Sequence, residues 1–140
     1  MALRRDAKIE LLKRVPLFAG CTKAELQRLS SIADEIDLRE GTVLTREGRL
    51  GHEFFVLVEG TVRVSKNGRK LADLGSGDWL GEIALLTHGS RRTATAITTS
   101  PTRALVIVDR DFRRLIGEMP SISLKVLTCV AERLDRDARS

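Results

Sequence analysis

Phe54-Phe55-Val56-Leu57-Val58-Glu59-Gly60-Thr61-Val62-Arg63-Val64-Ser65-Lys66-Asn67-Gly68 is the stretch that decides the fold class. Phe54 to Val58 is a short unbroken apolar run, the pattern of a strand buried on both faces. Val62 and Val64 then alternate with Arg63 and Ser65, as a strand with one wet face requires. Asn67-Gly68 is the favoured pair for a type I′ hairpin, because both residues tolerate positive φ. Working outward, Gly41, Gly48, Gly51, Gly75, Gly77, Gly81 and Gly89 punctuate short apolar runs at similar intervals. That spacing predicts an all-β barrel or sandwich with tight turns over about 37–108, its last strand near Arg103 to Val108.

Both flanks change period. Ile9, Leu11 and Leu12 sit at helical spacing between Lys8 and Arg14, before Pro16. Thr22-Lys23-Ala24-Glu25 has the form of a capping box, and Leu26, Leu29, Ile32 and Ala33 follow on one face of a second helix. N-terminal helices are therefore expected over about 1–36. After the strands, Asp109 or Asp111 is expected to cap a helix carrying Phe112, Leu115 and Ile116. Pro120 ends it, and Ser121 is expected to cap a last helix with a broad apolar stripe, giving C-terminal helices over 109–140. Nothing marks a second domain, so 1–140 reads as one.

Composition narrows the function classes. Of 140 residues, 42% are hydrophobic and 31% charged, an ordinary soluble balance. No apolar run approaches the roughly 20 residues of a membrane helix. MALRRDAKIE has no signal-peptide core, and Cys21 and Cys129 stand far apart in no metal spacing, so a cytoplasmic protein with two free thiols is expected. The net charge of +5 is spread thinly among acidic residues, which favours a solvated mixed surface over a nucleic-acid footprint.

The segment rich in chemistry is Gly77-Asp78-Trp79-Leu80-Gly81-Glu82-Ile83-Ala84-Leu85-Leu86, followed by Gly89-Ser90-Arg91-Arg92-Thr93-Ala94-Thr95. It reads as a turn, a short helix and a loop bearing two arginines. The first N–H groups of a helix lack internal partners and suit an anion. Gly81 allows close approach to the backbone, and Arg92 can fork two N–H groups onto phosphate oxygens. Glu82 would repel a bare phosphate, but it suits a sugar hydroxyl that donates to it. Anion donors plus one hydroxyl acceptor describe a ribose phosphate. Trp79 reads as an anchor behind this segment, and His52 and His88 as surface turn residues.

Gly81-Glu82-Ile83-Ala84-Leu85-Leu86, then Arg92-Thr93-Ala94-Thr95, resembles the phosphate-binding cassette of cyclic nucleotide-binding domains, here spanning 77–95. Glu47-Gly48, Gly51 and the run to Val58-Glu59-Gly60 resemble that family's strand-turn signature, and the likeness extends from about residue 10 to the C-terminus. It implies a mainly β fold: an eight-stranded jelly-roll-like β-roll with N-terminal helices and one or two C-terminal helices. It also implies that Glu82 accepts the ribose 2′-hydroxyl, and that Arg92 and the backbone of Gly81, Glu82, Ile83 and Ala84 hold the exocyclic phosphate. Thr93 would touch phosphate or base, and Arg133, with Arg136 as second choice, would cover the base from the final helix. Arg91 stands where many members carry proline, and adds a charge beside the site. The implied ligand is cyclic AMP in preference to cyclic GMP, with no cofactor and no metal. Signalling would run through the last helix, to an effector protein on another chain.

Rival readings fare worse on the same residues. A metal-dependent jelly-roll enzyme needs several converging ligands, and only two histidines exist, in different loops. No Ser, Cys or Lys stands in a nucleophile motif, so catalytic residues are not expected. A DNA-binding transcription factor would need a helix-turn-helix beyond the long helix, where this sequence stops; a regulatory fragment of a larger effector is the variant of that reading. A fold kept only for protein–protein contact is opposed by Gly81, Glu82 and Arg92 standing together.

Overall fold

The computed structural model describes residues 3–87 and 91–139; within the last helix the side chains of 133, 134, 136, 137 and 139 are not described. Helix α1 (Arg5–Lys13), a 3₁₀ turn (Pro16–Phe18) and α2 (Lys23–Ser31) come first. Strands β1 (Asp34–Leu38), β2 (Val43–Thr45), β3 (Glu53–Glu59), β4 (Val62–Lys66), β5 (Arg69–Leu74) and β6 (Trp79–Leu80) follow. Helix α3 (Ile83–Leu86) then precedes β7 (Thr95–Thr98), β8 (Thr102–Val108), α4 (Asp109–Glu118) and α5 (Pro120–Arg139). The strands form two antiparallel four-stranded sheets, ordered β1-β8-β3-β6 and β2-β7-β4-β5. This is the mainly β roll with flanking helices that the sequence implies.

The strands follow from the pattern that predicts them. Phe54, Phe55, Val56 and Leu57 are all buried, because β3 lies between β8 and β6 with helices on one side and the second sheet on the other. Asn67 (φ 52°) and Gly68 (φ 79°) turn β4 into β5 with both φ values positive, as a type I′ turn demands. The roll begins at Asp34, not near 37. In Asp34-Glu35-Ile36-Asp37-Leu38 only two residues are apolar, too few for a period-2 signal, and pairing with β8 makes the strand.

Two apolar clusters hold the domain together. The larger packs α1, α2, α4 and α5 against β3 and β8 around Phe18, whose ring lies 6.0 Å from both Phe54 and Phe112. Each fully buried side chain of this size contributes about 1.5–3 kcal/mol, and such aromatic pairs about 0.5–1.5 kcal/mol more. The smaller cluster, Leu57, Val62, Ala96 and Ala104, fills the space between the sheets.

Helix ends depart from expectation in two places. The Thr22–Glu25 capping box forms as read, with Thr22 N donating to Glu25 Oε1 at 2.7 Å and Glu25 N donating to Thr22 Oγ1 at 3.2 Å. Val108, not an aspartate, precedes α4. Asp109 is instead a buried first-turn residue, 3.1 Å from His52 Nδ1 and 3.3 Å from Arg113. Burial works against its charge, yet hydrogen bonds from His52 and the Arg110 backbone hold its carboxyl below the ordinary range. Ser121 does not cap α5, which already begins at Pro120. Its hydroxyl donates to Glu25 Oε2 at 2.6 Å, and Lys125 Nζ meets Glu25 Oε1 at 2.5 Å. One buried carboxylate therefore closes the start of α2 and ties it to the first turns of α5. Burial opposes ionisation of Glu25, but the bonds from Lys125, Ser121 and Thr22 outweigh it and bring its pKa to about 2.

Candidate functional site

The site grows out of the end of β6. Asp78 accepts from the Gly75 backbone at 2.8 Å while its own carbonyl receives Leu57 N at 2.8 Å, which fixes the turn 75–78 against β3. Val56 and Phe55 then pair with Trp79 and Leu80. Trp79 packs against the larger apolar cluster, as an anchor would, and also lines the cavity described below. The chain next turns at Gly81, where φ is +86°, and enters α3. Ala84 and Leu85 are buried, while Ile83 and Leu86 are 50% and 39% exposed.

The second wall is the segment that carries the arginines. Arg92 N donates to Arg49 O at 2.7 Å, Gly48 N donates to Arg92 O at 2.9 Å, and Leu50 bridges to Arg91. The two loops are thus zipped together, and Arg92 is fixed at its backbone. Its side chain runs inward, half buried, and Nη2 donates to the Glu53 carbonyl at 2.7 Å. Burial pushes the guanidinium below its ordinary pKa and nearby Glu53 pulls it back up; an arginine stays charged under such shifts. Arg91 is exposed, and its Nη1 donates to Gly48 O at 2.7 Å.

Between these walls lies a cavity of about 520 Å³. Gly81, Glu82, Ile83, Ala84, Arg91, Arg92 and Thr93 all line it, so every cassette residue singled out from the sequence comes together. Thr45, Val64, Ala72, Leu74 and Ala96, from the sheet β2-β7-β4-β5, form a further wall that sequence reading did not pick out. Val64 carried a signal, since it shares a strand face with the buried Val62; Ala72 and Leu74 carried none. The cavity therefore offers a cation, a carboxylate and a set of apolar side chains in its lining. That is the profile of a site for an anionic molecule with a flat apolar part. The side chains of Arg133 and Arg136, and the whole of His88, lie outside the described residues. His52 is exposed and belongs to the Asp109 pair, away from this cavity. Among the described residues no group of His, Cys, Asp and Glu could hold a metal ion, and no helix is long and apolar enough to cross a membrane.

Comparison with known proteins points the same way. The family model described as "Cyclic nucleotide-binding domain" matches residues 35–119. The chain is 34% identical to a cGMP-dependent protein kinase of Drosophila melanogaster, over 87% of this chain and 17% of the kinase. It is 31% identical to a CRP-like cAMP-activated global transcriptional regulator of Mycobacterium tuberculosis, over 91% of this chain and 58% of that protein. It thus spans between a sixth and three-fifths of these two relatives. Among solved structures, the N-terminal domain of a transcriptional regulator from Streptomyces coelicolor superposes with a TM-score of 0.85 at 27% identity, covering 92% of this chain and 93% of that one.

Proposed function

The chain belongs to the cyclic nucleotide-binding domain family, and on that premise we propose that its cavity binds a cyclic purine nucleotide and that the domain regulates an effector without catalysing a reaction. The observation that carries this reading is the half-buried Arg92 guanidinium, bonded to the Glu53 carbonyl and lying against Gly81 in a cavity that Glu82 also lines. Arg92 forks onto the exocyclic phosphate oxygens, joined by backbone N–H groups of the Gly81-to-Ala84 turn, in which the Ala84 N–H already donates to the Gly81 carbonyl at 3.0 Å, in a partly dry setting where charge-assisted bonds are strongest. Glu82 accepts the ribose 2′-hydroxyl, and Thr93 lies at the rim beside phosphate and base.

Val64, Ala72 and Leu74 take the base. They offer no partner for the 2-amino group that guanine has and adenine lacks, and burying an unpaired polar group is costly. This supports cyclic AMP over cyclic GMP, with the Thr93 hydroxyl the side chain able to narrow the gap. The relatives' names include both nucleotides, and here each belongs to the relative alone.

The signal leaves through α5. Ile122 and Val126 are buried and Ser121 and Lys125 are tied to Glu25, so the first turns of the helix are anchored. Ala131, Glu132, Asp135 and Ala138 are exposed, and these last turns are the part of the helix that folds over a bound base. Arg133 covers it by a cation–π contact of about 0.5–2 kcal/mol in this proposal, which also caps how far ligand can shift the helix. The effector is a further segment of the same protein or a separate chain.

Titration calorimetry with cyclic AMP, cyclic GMP and adenosine tests the proposal. Saturable one-to-one binding is expected for cyclic AMP, weaker binding for cyclic GMP, and a loss of about a hundredfold for adenosine, which has no phosphate to offer Arg92. No heat from either cyclic nucleotide at about 1 mM, where an affinity of only ~4 kcal/mol would register, overturns it.

A further inference from the structure

We infer that Gly51 is a positioning residue for phosphate recognition, because the space left by its missing side chain is the slot in which Arg92 is seated. The inference rests on the reading of Arg92 as the phosphate ligand and adds a residue that does not line the cavity itself. Gly51 is buried two residues before β3. A Cβ built on it would lie 2.0 Å from Arg92 Nε, 2.4 Å from Cζ and 2.5 Å from Cδ. No side chain larger than hydrogen can coexist with the guanidinium in that place.

The backbone allows the two effects of a glycine to be separated here. Gly81 has φ +86°, and a Cβ there would meet the Glu53 carbonyl at 2.7 Å as well as Arg92 Nη1 at 2.7 Å. Substituting Gly81 therefore strains the fold whatever Arg92 does. Gly51 is not among the positive-φ glycines, so alanine is sterically allowed on its backbone, and the three nearest atoms its Cβ would meet belong to the flexible side chain of Arg92. Arg92 cannot retreat as a whole, because its N–H and carbonyl are both bonded to the 48–49 turn. The predictable consequence of Gly51→Ala is that the guanidinium swings out of the slot, breaks its bond to the Glu53 carbonyl and meets the phosphate from an unfixed position.

The experiment compares wild type, Gly51→Ala, Arg92→Ala and the double variant by calorimetry with cyclic AMP, by thermal melting, and by the ¹⁵N-detected exchange of the Arg92 Nε–H without nucleotide. Gly51→Ala is expected to weaken binding about tenfold or more, and to speed Nε–H exchange. In the Arg92→Ala background the same substitution is expected to change affinity by less than about twofold, since the two act as one unit. If Gly51→Ala melts early, the double variant is expected to recover, because truncating Arg92 removes the clash. Wild-type affinity in Gly51→Ala, an equal loss with and without Arg92, or a double variant as unstable as the single overturns the inference. Wild-type affinity in Arg92→Ala overturns the phosphate reading itself, and the role of Gly51 with it.

Discussion

Truncating Arg92 should separate the two arginines that the sequence places side by side. Arg92 Nη2 is committed to the Glu53 carbonyl, which leaves the rest of the guanidinium for a ligand. Two charge-assisted hydrogen bonds at the low end of about 1.5–3 kcal/mol each give ~3 kcal/mol. That is about a hundredfold in Kd, since 1.4 kcal/mol is tenfold. Arg92→Lys keeps the charge but not the fork, and should fall between, near tenfold. Arg91 is exposed and already bonded to the Gly48 carbonyl, so Arg91→Ala should cost no more than about threefold, mostly through screened long-range charge. Calorimetry on the three variants at two salt concentrations is the assay, with the Arg91→Ala deficit shrinking as salt rises. Equal losses for Arg91→Ala and Arg92→Ala would refute the assignment, as would a loss below about fivefold for Arg92→Ala.

Two other outcomes follow from the same structure. The Glu25 carboxyl is held near pH 2 when folded and titrates near 4.5 when unfolded, so its stabilisation is present above about 4.5 and is lost as pH falls toward 2. Glu25→Gln should lower the melting point at neutral pH, by about 1–2 kcal/mol of stability, and flatten its fall across that acid window; an unchanged acid slope contradicts the ion-pair account. Hydrogen exchange should show 122–130 protected without ligand and 131–139 gaining protection only with cyclic AMP, whereas unchanged exchange in 131–139 beside strong protection at Gly81 and Thr93 would show binding without a switch through α5.

What could be read from sequence was local. The β3 run, the β4–β5 turn and the Thr22 capping box each declare themselves within a few residues, as periodicity or a φ requirement. The cassette residues are contiguous enough to be read as a unit. What stayed hidden depends on residues brought together from a distance. Glu25 reads as a helix cap, and nothing near it announces Ser121 and Lys125 from the far end of the chain. Asp109 and Ser121 fit the composition of helix caps but are claimed by His52 and Glu25. Gly51 looks like one more turn glycine, and only the path of Arg92 shows what its missing Cβ leaves room for. Ala72 and Leu74 join the cavity through the register of β5 on β4, which no single-strand pattern encodes.

The central claim is that Arg92 and Glu82 hold the two polar ends of one ribose phosphate. A crystal structure of the protein grown with cyclic AMP tests it most directly. The account predicts exocyclic phosphate oxygens at about 2.7–2.9 Å from Arg92 nitrogens, the 2′-hydroxyl on the Glu82 carboxylate, and the adenine against Val64, Ala72 and Leu74. Nucleotide density outside this cavity, or inside it with the phosphate turned away from Arg92, contradicts it.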